Sequence, residues 1–345
     1  MKDLRYSGID LLRFLAAYTV AITHISINQF QSGINFEIIS SMAVEVFFII
    51  SGFVLAPQII SLVKKNTLFN YKIFLIRRWY RTIPLYILSL IITTIILNKF
   101  TTFDFLKYTL FLQNFFFIWV KNDYFSISWS LSVEEWFYVI FPFFLISLFR
   151  IFNSQENRIL LISFIFVFLI FLIRVYFSDF NNWGSSVRRV VIFRLDSIAF
   201  GFILFFYKDK FFFKKNRILS VFVIFLILSV LTFYFFKLNI FGDNIYIKLF
   251  SHYLIAFWGC SLFIYFYILE SFLNNNKFRK LNLFLGKISY STYLFHLILI
   301  YIIGSLINTS FLTFLILFTF LQIILSIILY YFFEEPILKS RPNYK

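Results

Sequence analysis

Residues 311–333 read FLTFLILFTFLQIILSIILYYFF, a run that contains no charged side chain. A helix of about 20 apolar residues is long enough to cross the ~30 Å hydrocarbon core of a bilayer. Similar runs recur along the whole 345-residue chain, which is 61% hydrophobic and only 14% charged. Soluble domains carry about 25% charged residues. The sequence therefore predicts an all-α fold, a polytopic transmembrane helical bundle.

Ten apolar runs have the length of a spanning helix. They cover residues 8–28, 38–62, 79–97, 129–149, 159–177, 188–207, 218–236, 248–270, 285–307 and 311–333. An eleventh run, residues 103–120, could also cross the membrane, so the distribution of charge has to decide between ten and eleven spans.

Charge favours ten spans. With ten crossings and a cytoplasmic N-terminus, 22 of the 32 Lys and Arg residues fall in cytoplasmic segments and 9 in external ones. This is the bias expected of an inner-membrane protein. If residues 103–120 crossed as well, the basic loops at 208–217 and 277–287 would lie outside. We therefore interpret residues 103–120 as a re-entrant or interfacial segment buried against protein, and we expect a multi-pass protein of the cytoplasmic membrane with both termini in the cytoplasm.

The remaining composition excludes several classes of protein. No internal repeat or linker is visible, so a single membrane-embedded domain over residues 1–345 is expected. The net charge of +16 is spread over short loops, which favours topogenic charge over nucleic-acid binding. The single cysteine, Cys260, excludes an intramolecular disulfide. The first apolar run lacks a small-residue cleavage site, which predicts an uncleaved first helix, and no metal-ligand pattern is found.

Ionisable side chains inside spanning helices are costly, by at least about 2.5 to 3.5 kcal/mol each, so each indicates a cavity or a partner. The positions of interest are Arg13, His24, Glu45, Glu134, Asp196 and His296.

Arg13 and His24 lie on one face of the first helix. They are eleven residues apart, which is about three turns and ~16 Å along the axis. Arg13 would lie near the cytoplasmic end and His24 towards the outer leaflet. Each also has a simpler interpretation: Arg13 as a snorkelling side chain, and His24 as a hydrogen bond between packed helices.

Arg78 and Arg81 open the third helix on the cytoplasmic side and share a face. Guanidinium groups bind phosphate bidentately. Together with Arg13 they could hold a nucleotide pyrophosphate that enters from the cytosol. Ordinary positive-inside charge is the alternative.

Glu134 lies five residues into a helix that enters from outside, so it should meet His24 at a similar depth. A carboxylate beside an imidazole orients it and raises its basicity, as a general base for a hydroxyl requires. Glu45, on the second helix, is a second candidate at this level. For both carboxylates, pairing with a buried arginine or a helix N-terminus remains the alternative. A transporter could show the same layout, so geometry alone does not decide the function.

Several motifs follow one another along the chain. They are GIDLLRFLA at residues 8–16 with His24, VEVFFIISGF at 44–53, RWYRTIP at 78–84, WSLSVEEWFY at 129–138, RLD at 194–196 with Gly201, LGKISYSTYLFH at 285–296, and EEP at 334–336. In this order they resemble the acyltransferase 3 family of membrane acyltransferases over nearly the whole chain. The tryptophan block of that family matches Glu134 rather than its neighbour Glu135.

The resemblance implies an acyltransferase that takes an acyl group, acetyl above all, from cytosolic acyl-CoA. The acceptor would be a hydroxyl of a cell-surface carbohydrate, a surface polysaccharide or its lipid-linked precursor. Acyl-CoA is then a donor substrate and no cofactor is permanently bound. Many members carry an extra periplasmic domain. None is expected here, because the chain ends twelve residues after its last apolar run.

The resemblance also assigns roles to residues. It makes His24 the base or transient acyl carrier, with Glu134 as its partner and Glu45 as a further catalytic candidate. Contacts to the CoA phosphates fall to Arg13, Arg78 and Arg81. Further candidates from the matching motifs are Ser130, Tyr138, Arg194, Asp196, Tyr293 and His296.

Two other functions stay open. One is a transporter or flippase of a lipid-linked sugar, which would neither hydrolyse acyl-CoA nor transfer its acyl group. The other keeps the enzyme but exchanges acetyl for succinyl or a longer acyl group.

Overall fold

The computed structural model describes residues 5–30, 34–65, 68–100, 103–120, 123–151, 157–177, 183–212, 218–237, 245–273 and 276–342. Within these ranges every regular element is a helix and no strand occurs. The predicted all-α fold is confirmed.

Thirteen α-helices lie in the described residues. They are α1 Ser7–Phe30, α2 Ile34–Lys65, α3 Leu68–Ile96, α4 Phe103–Thr109, α5 Ser128–Ile151, α6 Asn157–Phe177, α7 Leu195–Phe206, α8 Lys208–Phe212, α9 Ile218–Lys237, α10 Ile245–Leu273, α11 Asn276–Leu306, α12 Phe311–Leu329 and α13 Glu335–Lys339. Two π-helical turns, Trp183–Arg188 and Tyr330–Glu334, and a 3-10 turn, Val191–Phe193, complete the regular structure.

Eight helices of the described chain are long and apolar enough to cross a membrane. The ranges are Ser7–Phe30, Phe36–Lys65, Phe69–Ile96, Ser128–Ile151, Arg158–Phe177, Leu249–Glu270, Phe278–Leu306 and Phe311–Lys339. The apolar part of α9, Ile218–Tyr234, is shorter. The protein is a multi-pass bundle, as predicted, but the count of ten spans is not confirmed.

The predicted span at residues 188–207 is wrong as a continuous helix. A π-helical turn, a 3-10 turn and the twelve-residue α7 occupy this part of the chain. Its irregular backbone is satisfied by protein, since the amide of Val191 donates to the Asn114 carbonyl over 2.8 Å and the amide of Ile192 to the Phe115 carbonyl over 3.3 Å. Non-helical backbone at membrane depth is tolerated where protein buries it.

Residues 103–120 form no spanning helix. After α4 the chain turns at Phe111, whose φ of 55° is an uncommon backbone conformation for a bulky residue. Two side chains from spanning helices hold the turn: Trp136 Nε1 donates to the Phe111 carbonyl over 2.9 Å, and the Tyr86 hydroxyl donates to the Tyr108 carbonyl over 2.9 Å. The segment is only partly buried against protein: Tyr108, Phe111 and Gln113 are buried, whereas six large apolar side chains, among them Phe103 and Phe117, are exposed.

Helices α1 and α11 run parallel through the middle of the bundle. Asp10 lies against Gly286 and Gln29 lies against Gly304, so both contacts follow the same direction along the two helices. The second close crossing joins α2 and α7 at Gly52, where an added Cβ would lie 1.9 Å from the Ile198 carbonyl oxygen. Small residues let helix backbones approach closely in a membrane. The α1–α11 pair is the scaffold that carries the site.

We name the two ends of the bundle by their residues. The basic end holds the start of α1, the end of α2 with Lys64 and Lys65, and the start of α3. The far end holds the end of α1, the end of α3 and the end of α11.

Candidate active site

A cavity of about 420 Å³ opens at the basic end, and we call it the vestibule. Six basic side chains line it: Arg5, Arg13, Arg78, Arg81, Lys339 and Arg341. Two acidic side chains, Asp10 and Glu335, line it as well. Asp10 holds Arg13 at 3.0 Å and Arg5 at 3.5 Å. The vestibule therefore has the charge of a site for a polyanion.

Arg13, Arg78 and Arg81, which the sequence predicts to share a phosphate site, do line one cavity. Arg78 donates to the amide oxygen of Gln58, and its guanidinium carbon lies 5.8 Å from the centroid of the Phe74 ring. The two contacts fix the Arg78 side chain, which is only 9% exposed.

A narrower cavity of about 80 Å³, the neck, continues inward from the vestibule. The same three arginines line its mouth, and Ser51, Ser130, Glu134, Tyr138 and Tyr293 are among the side chains that line the rest. The neck carries hydroxyl and carboxylate groups towards the middle of the bundle.

Glu134 lies in this neck and not beside His24, so the predicted contact between them is wrong. The Ser51 hydroxyl donates to one Glu134 carboxylate oxygen over 2.8 Å, and the Tyr138 hydroxyl donates to the other over 2.9 Å. The charges of Arg81 and Arg13 also act on Glu134.

The depth of Glu134 follows from where α5 begins. Ser128, its first residue, is 1% exposed and is covered by residues 103–120, from which Gln113 Nε2 donates to the Ser128 hydroxyl over 3.0 Å. Counting five residues from a helix start gives the depth in a membrane only when the helix starts at the surface. Here it starts inside the protein, so Glu134 lies deeper than the count suggests.

The partner of His24 is a second histidine. His24 Nδ1 lies 2.7 Å from His296 Nε2, and the two ring planes are parallel within 3°. His296 Nδ1 lies 2.5 Å from the Tyr293 carbonyl oxygen. The chain thus brings together two of the predicted residues that lie 272 positions apart in the sequence.

The hydrogen bonds assign the tautomers of the histidine pair. A carbonyl oxygen only accepts, so His296 carries its proton on Nδ1 and leaves Nε2 as an acceptor. His24 then donates from Nδ1, and its Nε2 keeps a lone pair for chemistry. This is the orientation that a buried acceptor gives a catalytic imidazole in hydrolase triads.

Tyr293 joins the neck to the histidine pair. Its ring lines the neck and its carbonyl holds His296. Its hydroxyl lies 2.7 Å from the Ser130 hydroxyl and donates to the Ile127 carbonyl over 3.3 Å. Two further candidates from the sequence, Ser130 and Tyr293, therefore lie between the vestibule and His24.

On the far side of the pair lies an elongated cavity of about 370 Å³, the far groove. Its walls are mostly apolar and come from α1, α3, α11 and residues 124–127. Asn28 and Gln29 supply amides, and Asn28 Nδ2 donates to the His24 carbonyl over 2.9 Å. The groove is therefore lined by the turn of α1 that follows His24.

Two arginines that precede α7, Arg188 and Arg189, lie close enough to His24 for their charges to act on its ring. Arg188 pairs with Glu37. Arg188 is buried, with only 3% of its surface exposed.

Glu45 lies elsewhere, in a buried ion cluster that we call the closed cluster. Glu45 accepts from Arg194, whose second amino group lies 2.7 Å from His252 Nδ1. Asp196 lies 2.5 Å from Arg174 and 3.5 Å from His252 Nε2. The sequence suggested Glu45 at the level of His24. The structure pairs Glu45 with a buried arginine, which is the alternative that the sequence left open.

Sequence reasoning missed three members of these groups: Arg174, Arg188 and His252. The charge distribution assigns Arg174 and Arg188 to external segments, and both are buried in the structure. His252 lies within an apolar run, and an ionisable residue in a spanning helix is itself a signal. Within the described residues, no three His, Cys, Asp or Glu side chains come together as metal ligands would.

The chain is similar in sequence to several known proteins. An uncharacterized protein of Haemophilus influenzae is 30% identical over 173 residues, 45% of this chain and 69% of that protein. The peptidoglycan O-acetyltransferase of Listeria monocytogenes is 29% identical over 167 residues, 42% of this chain and 26% of that enzyme. The chain thus matches about a quarter of the length of the Listeria enzyme. No solved structure matches.

The family model described as an acyltransferase domain matches residues 6–331. That range includes the histidine pair, the neck and most residues of the vestibule. The chain therefore belongs to the acyltransferase 3 family of membrane proteins.

Proposed function

We propose that the chain transfers an acyl group, acetyl above all, from cytosolic acyl-CoA to a hydroxyl of a cell-surface carbohydrate or of its lipid-linked precursor. The observation that carries the proposal is the polar line through the bundle: a basic vestibule, a neck, a histidine pair and a groove at the opposite end. A donor with phosphates and an acceptor with hydroxyls fit the two ends of this line. Acyl-CoA acts as a substrate, and no bound cofactor is required.

The vestibule suits the nucleotide end of the donor. Arginine pairs bind phosphate oxygens bidentately, and Arg13, Arg78 and Arg81 line both the vestibule and the mouth of the neck. The pantetheine arm would then extend through the neck and carry the thioester towards Tyr293. Because CoA is cytosolic, the basic end would face the cytoplasm.

His24 supports two routes for the acyl group. In one, His24 Nε2 takes the proton of the acceptor hydroxyl, whose oxygen attacks the thioester carbon. The C–S bond breaks and the CoA thiolate recovers the proton from His24. In the other, His24 Nε2 attacks the thioester carbon, the C–S bond breaks, and CoA leaves as a thiolate. The acceptor oxygen then attacks the acyl carbon, the bond to His24 breaks, and the hydroxyl proton passes to the thiolate. Both routes end with an ester, a CoA thiol and a neutral imidazole.

His296 stabilises the charge that His24 acquires in either route. Its Nε2 accepts from His24 Nδ1 and can share the proton when His24 becomes an imidazolium. Its own proton stays on Nδ1, which donates to the Tyr293 carbonyl. His296 would thus orient His24 and stabilise its imidazolium, the role that the sequence predicts for the Glu134 carboxylate.

The far groove suits the acceptor. Asn28 and Gln29 offer amide donors and acceptors near His24, and Tyr124 and Tyr301 add phenol rings. Amides and aromatic rings can bind a sugar by hydrogen bonds and stacking, while the apolar wall suits a lipid carrier.

The test compares the masses of the surface glycans from cells with and without the protein. A gain of about 42 Da per site identifies acetyl, and a gain of about 100 Da identifies succinyl. Purified protein should also release CoA from acetyl-CoA. A transporter would change the amount of surface glycan without releasing CoA, and that result would overturn the proposal.

A reporter at the C-terminus tests the orientation. The 22 to 9 division of basic residues predicts that both termini lie in the cytoplasm. A reporter that is active only outside the cytoplasm would contradict the orientation and would put the vestibule on the wrong side for CoA.

A further inference from the structure

The six basic residues of the vestibule fall into two tiers. Arg13, Arg78 and Arg81 also line the neck and form the deep tier. The other three, Arg5, Lys339 and Arg341, line the vestibule alone and form the rim tier. Arg13 and Arg78 are largely covered, with 14% of the Arg13 side chain and 9% of Arg78 exposed. Arg81 is exposed, as are Arg5 and Lys339, so the lining of the neck and not exposure separates the two tiers.

The rim tier comes from both ends of the described chain. Arg5 precedes α1, Lys339 ends α13, and Arg341 follows it. Arg77, on α3, donates to the Pro342 carbonyl and so ties the C-terminal segment to the helix that carries Arg78 and Arg81. The rim charges are therefore held over the mouth of the cavity.

The charge of the vestibule equals that of CoA. Six basic and two acidic side chains leave a net charge of +4. CoA carries about four negative charges at neutral pH, two on its pyrophosphate and close to two on its 3′-phosphate, a monoester. Asp10 pairs with Arg13, so the deep tier offers a net charge of two to a pyrophosphate that carries two negative charges.

The order of groups along CoA also follows the two tiers. The thiol and pantetheine arm lead, the pyrophosphate follows, and the 3′-phosphate on the ribose is at the trailing end. With the thioester in the neck and the pyrophosphate on the deep tier, the 3′-phosphate comes to the rim.

We propose that Arg5, Lys339 and Arg341 form a subsite for the 3′-phosphate of CoA, so that the protein distinguishes CoA from dephospho-CoA. The inference rests on the proposed acyl-CoA donor. Lys339 lies 3.4 Å from Glu335 on the preceding turn, and a bound phosphate would replace this carboxylate as its partner.

Dephospho-CoA is the matched probe, because it lacks only the 3′-phosphate. Binding of CoA and of dephospho-CoA is measured on the full chain in nanodiscs of phosphatidylcholine. CoA should bind at least about tenfold tighter, the effect of one or more charge-assisted hydrogen bonds. Lys339→Gln should reduce this ratio, and the triple variant Arg5→Gln, Lys339→Gln, Arg341→Gln should bring it close to one.

Two controls separate the subsite from general charge. Arg279→Gln removes an exposed basic residue that does not line the vestibule, and it should leave the ratio unchanged. Glu335→Gln should increase the affinity for CoA more than the affinity for dephospho-CoA, because the carboxylate no longer competes with the phosphate for Lys339. Melting temperatures of all variants confirm that each one is folded.

The outcomes are distinct. Equal binding of the two nucleotides by the wild type, or a ratio that survives in the triple variant, overturns the subsite. Loss of the CoA preference when phosphatidylglycerol is added to the nanodiscs assigns the rim charges to lipid headgroups and also overturns it. Turnover of acetyl-CoA and acetyl-dephospho-CoA with equal KM refutes the subsite and leaves the proposed function intact. Turnover of neither donor refutes the proposed function itself.

Discussion

Two of the regions in which the described residues bury charged side chains have different surroundings. In the closed cluster, Arg194 and Arg174 contact Glu45 and Asp196 directly, and His252 lies between the two pairs. Along the polar line, the charged groups border cavities: Arg78 and Arg81 line the vestibule and the neck, and Glu134 lines the neck. The cluster is closed upon itself, whereas the polar line is open to a ligand.

The comparison separates structural charges from functional ones. A buried ion pair is compensated only while both partners are present, so the closed cluster should control folding. A charge that borders a cavity can still interact with a ligand bound there. The residues of the polar line should therefore control binding and turnover. The same residue types, Arg, Glu and His, occur in both regions. Their surroundings and not their chemistry assign the role.

The largest expected effect is on stability, in the closed cluster. Asp196→Ala removes the carboxylate from Arg174 and His252, both fully buried. Removing one partner of a buried pair costs about 3 to 5 kcal/mol. The variant should lose most of its folded fraction in detergent, measured by size-exclusion chromatography and thermal unfolding.

Asp104→Ala is the control for that change. Asp104 pairs with Lys107 on the short helix α4, where its side chain is 20% exposed. Such a pair contributes about 0 to 1 kcal/mol. Equal stability of the two variants would remove the distinction between the closed cluster and an ordinary surface pair.

The second effect compares two buried histidines. His296→Phe keeps a ring in place but leaves His24 Nδ1 without its acceptor, so turnover should fall about 100-fold while KM for acetyl-CoA changes little. His252→Phe should instead lower the melting temperature and keep turnover per folded molecule within about threefold. If the two variants exchanged these results, the assignment of the two regions would be reversed.

The third effect is on donor binding. Arg81→Ala should weaken the binding of acetyl-CoA by about 1.5 to 3 kcal/mol, because one charge-assisted hydrogen bond is lost. The stability of the protein should change little. Calorimetry on the solubilised variant measures it, and Arg279→Ala serves as the matched change outside the cavity. Normal binding by Arg81→Ala would show that the vestibule does not hold the phosphates.

The smallest effect is expected at Glu134. Glu134→Gln keeps one acceptor oxygen, but it can no longer accept from both the Ser51 and Tyr138 hydroxyls. One lost hydrogen bond costs about 0.5 to 1.5 kcal/mol, so turnover should fall less than about tenfold. A loss as large as that of His296→Phe would return Glu134 to the role of His24 partner that the sequence suggested.

The sequence predicted those features that depend on local pattern. The apolar runs gave the spanning helices, and the spacing of Arg78 and Arg81 placed both on the face that lines the vestibule. Long helices made of apolar residues leave few other folds, so these predictions needed only length and periodicity.

Other features depend on contacts between distant segments. The depth of Glu134 depends on residues 103–120, which cover the start of α5. Glu45 meets Arg194 because the run at 188–207 breaks and turns its charges inward. His24 meets His296 because α1 and α11 are parallel neighbours. Hydrophobic periodicity shows which face of a helix is buried, but not which helix covers it.

The most direct test of the account is the turnover of acetyl-CoA by purified His24→Ala, with binding and melting temperature measured on the same sample. The account predicts a fall of about 10² to 10⁴-fold in turnover, the range of general acid–base catalysis. Acetyl-CoA affinity and melting temperature should stay near those of the wild type, since His24 lies beyond the vestibule and outside the closed cluster. Turnover retained within tenfold would contradict the claim that the acyl group is transferred at His24.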